Sequence, residues 1–168
     1  MTADVHPTDD PWPTGEPRSV FFEVGRESPD AAVAPSDPDP DGGRLAAVTA
    51  YFSDRVGRES LVSNPDTDGL SLTIFRFAAG TVLPRHRHDV DYIEFILEGE
   101  VHHGNRVIGP GGGVYRAAGT PYTYTVGPDG ATVADFRAHT WYRTDYVDDP
   151  ADWPDHRNWD HGTSDAGS

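Results

Sequence analysis

From residue 60 to residue 138 the chain is a succession of short β-type runs separated by turn residues, and this rhythm limits the possible folds more than any other feature. The runs 60–63, 70–78, 93–97, 100–103, 106–108, 114–116, 122–126 and 131–138 are built around Leu, Val, Ile, Thr, Phe and Tyr. Between them lie 64–69, Gly104-Asn105, 109–113, 118–121 and 127–130, each carrying Gly, Pro, Asn or Asp. Gly104-Asn105 is a two-residue hairpin turn that accepts positive φ. Many short strands at close, even spacing predict an all-β barrel or sandwich.

The flanks differ. Residues 1–19 hold Pro7, Pro11, Pro13 and Pro17 among Thr and Asp, and residues 29–43 are rich in Pro, Asp and Ala. Such segments bury too little apolar surface to offset their ordering entropy, so 1–43 is expected to be a flexible arm. Within it, residues 19–24 form a possible strand. Leu45, Val48, Phe52 and Val56 recur at helical spacing and predict a short amphipathic helix over about residues 45–55. The barrel is expected over 44–143. The tail 144–168 is acidic, but Trp153 and Trp159 imply that part of it packs.

Composition excludes several functions. There is no cysteine, hence no disulfide framework, thiolate cluster or cysteine nucleophile. The net charge is −15, with every basic residue an arginine. A surface this acidic repels phosphate backbones and anionic lipids, so neither nucleic acid nor membrane is an expected partner. No apolar run is long enough to cross a bilayer and no signal-peptide pattern stands at the start, so a cytoplasmic location is the expectation.

The chemistry concentrates in residues 80–99. His86 and His88 stand at i and i+2 just after Pro84, and in an extended segment they point the same way, about 7 Å apart along the strand. Imidazoles paired on one face suit zinc, copper, iron or nickel. Arg85 and Arg87 alternate with them and are expected to face outward, pairing with surface aspartates. His102 and His103, beside the hairpin turn, are expected to be solvated. Asp135 and Arg137 share a face with His139; an outward salt bridge is the expected role of that pair, an arginine in the barrel mouth holding a substrate carboxylate is the alternative, and a surface position is expected for His139.

These residues resemble the cupin superfamily, a jelly-roll (double-stranded β-helix) barrel. Its first motif runs Gly, five residues, His-x-His, three or four residues, Glu, six residues, Gly; Gly80, His86, His88 and Gly99 match it. Tyr92 occupies the usual glutamate position, and Glu94 lies on the same face one step along. In the second motif the chain offers Gly111, Ala117 and Gly119, with Tyr122 where the family keeps its last histidine and Val126 where it keeps asparagine. The resemblance implies a small RmlC-like cupin with a divalent transition metal, iron first and Mn, Ni or Zn as alternatives. His86 and His88 are its ligands, Glu94 is the leading third ligand, and Tyr92, Tyr122 and His139 are the others in question. Tyr92, Tyr122 and Tyr124 would line the pocket.

The function implied is a metal-dependent enzyme of the dioxygenase type acting on a small organic molecule. The alternative is a metal-free cupin that binds or senses a small molecule without catalysis. A zinc-binding regulatory cupin of the anti-sigma type ranks third, because the N-terminal segment lacks the helical domain such a protein needs. A homodimer is expected, since cupins often pair through an edge sheet or an exchanged N-terminal strand.

Overall fold

The computed structural model describes residues 44–63 and 68–153. The possible strand at 19–24 and Trp159 lie outside the described residues.

A nine-residue helix, α1 (Arg44–Phe52), leads into eight strands. They are β1 (Val56–Val62), β2 (Ser71–Phe77), β3 (Val82–His88), β4 (Tyr92–His103), β5 (Arg106–Ile108), β6 (Gly113–Arg116), β7 (Tyr122–Arg137) and β8 (Thr144–Tyr146). A short 3-10 turn, Pro150–Asp152, follows, capped by the Asp149 carboxylate accepting from the Ala151 amide. The expected all-β class is therefore observed, as one antiparallel sheet curled on itself, in which β1, β2, β7, β3 and β8 are consecutive neighbours and β4 joins β5, β6 and β7.

The main difference from expectation is β7. The residues 127–130 read as a turn between two strands, but the chain runs through them as a single sixteen-residue strand. Its first part pairs with β3 and the end of β4, and residues 131–137 lie between β2 and the start of β4. The Gly-Pro-Asp-Gly sequence acts as a bulge, and it sits where the β4–β7 register shifts between Gly99 and Val101. An extra residue in one strand bends the pair and sharpens its twist. Gly99 has φ +67°, and a Cβ there would lie 1.9 Å from the Gly130 carbonyl oxygen. Neither backbone can give way, so the bend requires glycine.

The shift at Gly99 also changes which residues face inward. Tyr92, Glu94 and Ile96 are buried while Ile93, Phe95 and Leu97 are exposed; beyond Gly99 it is Val101 that is buried and His103 that turns in beside Tyr124. His103 is thus part of the interior, contrary to the solvated position expected for it, because one residue of slip moves a side chain to the other face. Inside the curl, Leu83, Ile96, Val101, Val126, Ala131 and Val133 pack with Tyr92, Tyr122 and Tyr124. A second cluster of Leu61, Leu72, Ile74 and Ala134 lies on the reverse face.

Gly99→Ala is expected to lower stability by more than about 2 kcal/mol, since a left-handed conformation and a backbone collision add. Gly104→Ala, in the open hairpin turn at φ +58° with nothing within 4 Å of the added carbon, should cost about 1 kcal/mol. Urea midpoints of the two variants check the contrast.

Candidate functional site

The apolar side chains fill one part of the interior, and the other part is polar. β3 carries His86 and His88 inward, at 6% and 7% exposure, with ring centroids 5.1 Å apart. Arg85 and Arg87 between them turn outward and pair with Asp148 and Asp145 at 2.7 and 2.6 Å, as the alternation predicts.

The histidines are held from both sides. His86 Nδ1 lies 2.7 Å from the Pro84 carbonyl oxygen, so that nitrogen carries the proton and Nε2 is left with its lone pair. His88 Nδ1 meets Thr144 Oγ1 at 3.1 Å, and its Nε2 lies 3.4 Å from the Tyr122 hydroxyl. Tyr122 pairs with His86 in register across β3 and β7. On the other edge β8 pairs His86 with Tyr146 and His88 with Thr144. The strand β8 comes from the acidic tail, and sequence reasoning missed its part in the site. The alternation Tyr142, Thr144, Tyr146 is the signal that could have found it, since one face of an extended segment carries all three. Tyr142 and Tyr146 lie 5.3 Å from His88 and 5.6 Å from His86, ring to ring.

A second group of polar side chains lies beside the histidines. Across β6, β4 and β7 the register sets Arg116, Tyr92 and Arg137 in one row, and in the next Val114, Glu94 and Asp135. All four charged residues are at most 8% exposed. Arg137 Nη2 donates to Asp135 Oδ2 at 2.7 Å. This pair is interior rather than the outward salt bridge expected from sequence, because the β4–β7 register puts Asp135 beside inward-facing Glu94. His139 lies past the end of β7, exposed and paired with Asp68 at 3.1 Å, the surface position expected for it.

Glu94 is the leading third ligand on sequence, and it is buried at 2% exposure. Its Oε1 lies 3.6 Å from Arg116 Nη2 and 3.7 Å from His103 Nε2. Arg116 Nη2 donates to His103 Nε2 at 3.1 Å, so that nitrogen is unprotonated. Among the described residues no three of His, Cys, Asp and Glu come close enough together to hold a metal ion. Tyr92, Tyr122 and Tyr124 are buried at 9% exposure or less and line the same interior. The Arg116 guanidinium carbon sits 3.7 Å from the centre of the Tyr122 ring, and that of Arg137 4.2 Å from Tyr142.

The electrostatics follow from burial. Desolvation holds His86 down at about 4, against the opposing effects of the Pro84 carbonyl and Glu94. Desolvation, then Arg137 and His86, lowers His88 to about 2. Both imidazoles are neutral bases at neutral pH. The phenols of Tyr92, Tyr122 and Tyr124 are pushed up by burial and keep their protons. Burial likewise raises the Asp135 carboxyl, with Arg137 opposing and Glu94 adding to the push.

No family model matches this chain, and neither does any curated protein. Its structural neighbours are RmlC-like cupins and other cupin-fold proteins. An RmlC-like cupin from Ralstonia eutropha JMP134 is 23% identical with a TM-score of 0.49, the match covering 57% of this chain and 62% of that one. The polyketide cyclase RemF from Streptomyces resistomycificus is 21% identical with a TM-score of 0.48, over 88% and 87% of the two chains. A variant of the oxalate decarboxylase OxdC of Bacillus subtilis is 17% identical with a TM-score of 0.47, over 57% of this chain and 31% of that one.

The two buried imidazoles make stability depend on pH. Their folded values lie below the unfolded value of 6.5. Their contribution is therefore complete above pH 6.5 and is lost as pH falls from there, down to about 4 for His86 and about 2 for His88. With both protonated only in the unfolded chain, the loss is on the order of 2–3 kcal/mol per pH unit. Urea midpoints measured with a chelator present should fall over this window, and His86→Gln with His88→Gln should flatten the slope.

Proposed function

We propose that the protein binds a small, oxygen-bearing organic molecule inside the curled sheet, and that His86 and His88 offer a divalent transition metal two imidazole nitrogens beside it. The chemistry would be of the oxygenase type, with iron the first candidate. The observation that carries the binding site is the set of buried polar atoms without a hydrogen-bond partner: Glu94 Oε1, Asp135 Oδ1, Arg116 Nε, and Arg137 Nε and Nη1. Leaving such an atom unmet costs about 1–3 kcal/mol each. Buried donors and acceptors without partners, on residues that neighbour one another across β4, β6 and β7, support a ligand site.

The donor set fits a metal in part. Both imidazoles are neutral, and the Pro84 carbonyl on His86 Nδ1 fixes the tautomer that leaves Nε2 free, an arrangement common behind metal-ligating histidines. With no ion bound, the phenols of Tyr92 and Tyr122 are pushed up by burial and keep their protons, so they offer hydrogen-bond donors to the bound molecule. The third and further positions would fall to water or to oxygens of the bound molecule. Such an ion supplies Lewis acidity toward a bound oxygen, and iron adds redox chemistry. Thr144 would accept from His88 Nδ1, which leaves Nε2, faced by the Tyr122 hydroxyl at 3.4 Å when no ion is bound, for the metal.

A metal-free binding protein is the second reading, favoured by the involvement of Glu94 with Arg116 and His103. Elemental analysis after anaerobic purification, followed by titration with Fe(II), Mn(II), Ni(II) and Zn(II), separates the two. The metal reading expects one ion per chain and at least about a tenfold loss of affinity in His86→Ala or His88→Ala. A protein that takes up none of the four ions leaves the metal-free reading.

A further inference from the structure

We infer that the occupant of this interior is a neutral molecule bearing a hydroxyl and a carbonyl on neighbouring atoms, recognised by the four-residue group Arg116, Glu94, Asp135 and Arg137. The inference rests on the reading that the interior binds a small organic molecule, and it is drawn and tested for the metal-free interior.

Two buried arginines invite the reading of an anion site, but the charges facing them argue otherwise. Arg137 is met by Asp135 at 2.7 Å, and Arg116 has Glu94 3.6 Å away. His103 Nε2, packed against the group, accepts from Arg116 Nη2 at 3.1 Å. Two cations and two carboxylates leave no net charge for a ligand anion to neutralise. A carboxylate or phosphate entering here would face Glu94 and Asp135 at close range in a poorly screened interior, where like charges repel strongly.

The unmet atoms define what would fit. Arg116 Nε, Arg137 Nε and Arg137 Nη1 are donors in need of an acceptor. Glu94 Oε1 and Asp135 Oδ1 are acceptors in need of a donor. The Tyr92 hydroxyl lies against Tyr122 without a well-formed hydrogen bond and can serve either way. A carboxylate ligand answers only the donors, and an ammonium ligand only the acceptors. A neutral hydroxy-carbonyl compound answers both: its carbonyl accepts from the guanidinium nitrogens while its hydroxyl donates to a carboxylate.

Three probes of one skeleton test this on the full chain with a chelator present: salicylamide (hydroxyl and carbonyl, neutral), benzamide (carbonyl alone) and salicylate (anionic). Calorimetry at neutral pH should rank salicylamide first, at least about tenfold tighter than either of the others, as expected when buried polar groups are left unpaired. Asp135→Asn removes the charge facing Arg137 and should move the preference toward salicylate. Glu94→Gln tests the same reversal at Arg116 if the first variant does not fold. Salicylate or benzamide binding at least as tightly as salicylamide overturns the hydroxy-carbonyl class while leaving the interior as a binding site. Binding of none of the three overturns both.

Discussion

The pairing of β4 with β7 is the contact on which the rest of the structure depends. It is the longest ladder in the sheet, running from Tyr92↔Arg137 to His102↔Thr125, and it bends where Gly99 meets the Gly130 carbonyl. A straight ladder would leave a flat sheet with two wet faces. The bend closes one face over itself, so that Ile96, Val101, Val126 and Val133 find each other while β3 swings its histidines toward Tyr122. Core and site are thus two ends of one curl, made by a single pair of strands and one obligatory glycine.

The polar end of that curl is costly for a small domain. Four charged side chains, two imidazoles and several phenols share a space from which water is largely excluded, and burial shifts the titration of most of them. Packing alone would favour apolar residues of similar volume, because well-packed apolar groups commonly match or exceed the stability of a buried ion pair. Retaining unmet donors and acceptors side by side makes sense if a molecule that enters answers them. The arginines contribute a second effect: Arg137, after burial itself, helps keep His88 unprotonated and able to act as a base or ligand.

Part of this was legible in the chain. The run of short strands and the His-x-His after Pro84 predicted the β class, the inward pair His86 and His88, and the outward arginines that pair with Asp145 and Asp148. Alternation is a local property, so it holds wherever the strand stays regular. It failed at Gly99, where a shift in register turned His103 inward. Asp135 and Arg137 turn inward, against expectation, for a related reason. Parity within a strand says which residues share a face but not which face is covered.

The sequence by itself determined the fold class, the hairpin at Gly104-Asn105 and the two histidines, because these follow from spacing over a few residues. Only the tertiary structure decided what surrounds them. Tyr146 and Thr144 reach the histidines through an edge strand nearly sixty residues away in the chain, and Arg116, Glu94, Asp135 and Arg137 meet through the register of three strands. Register is set by long-range pairing and by one bulge, and a single residue of slip would have given every one of those side chains to solvent.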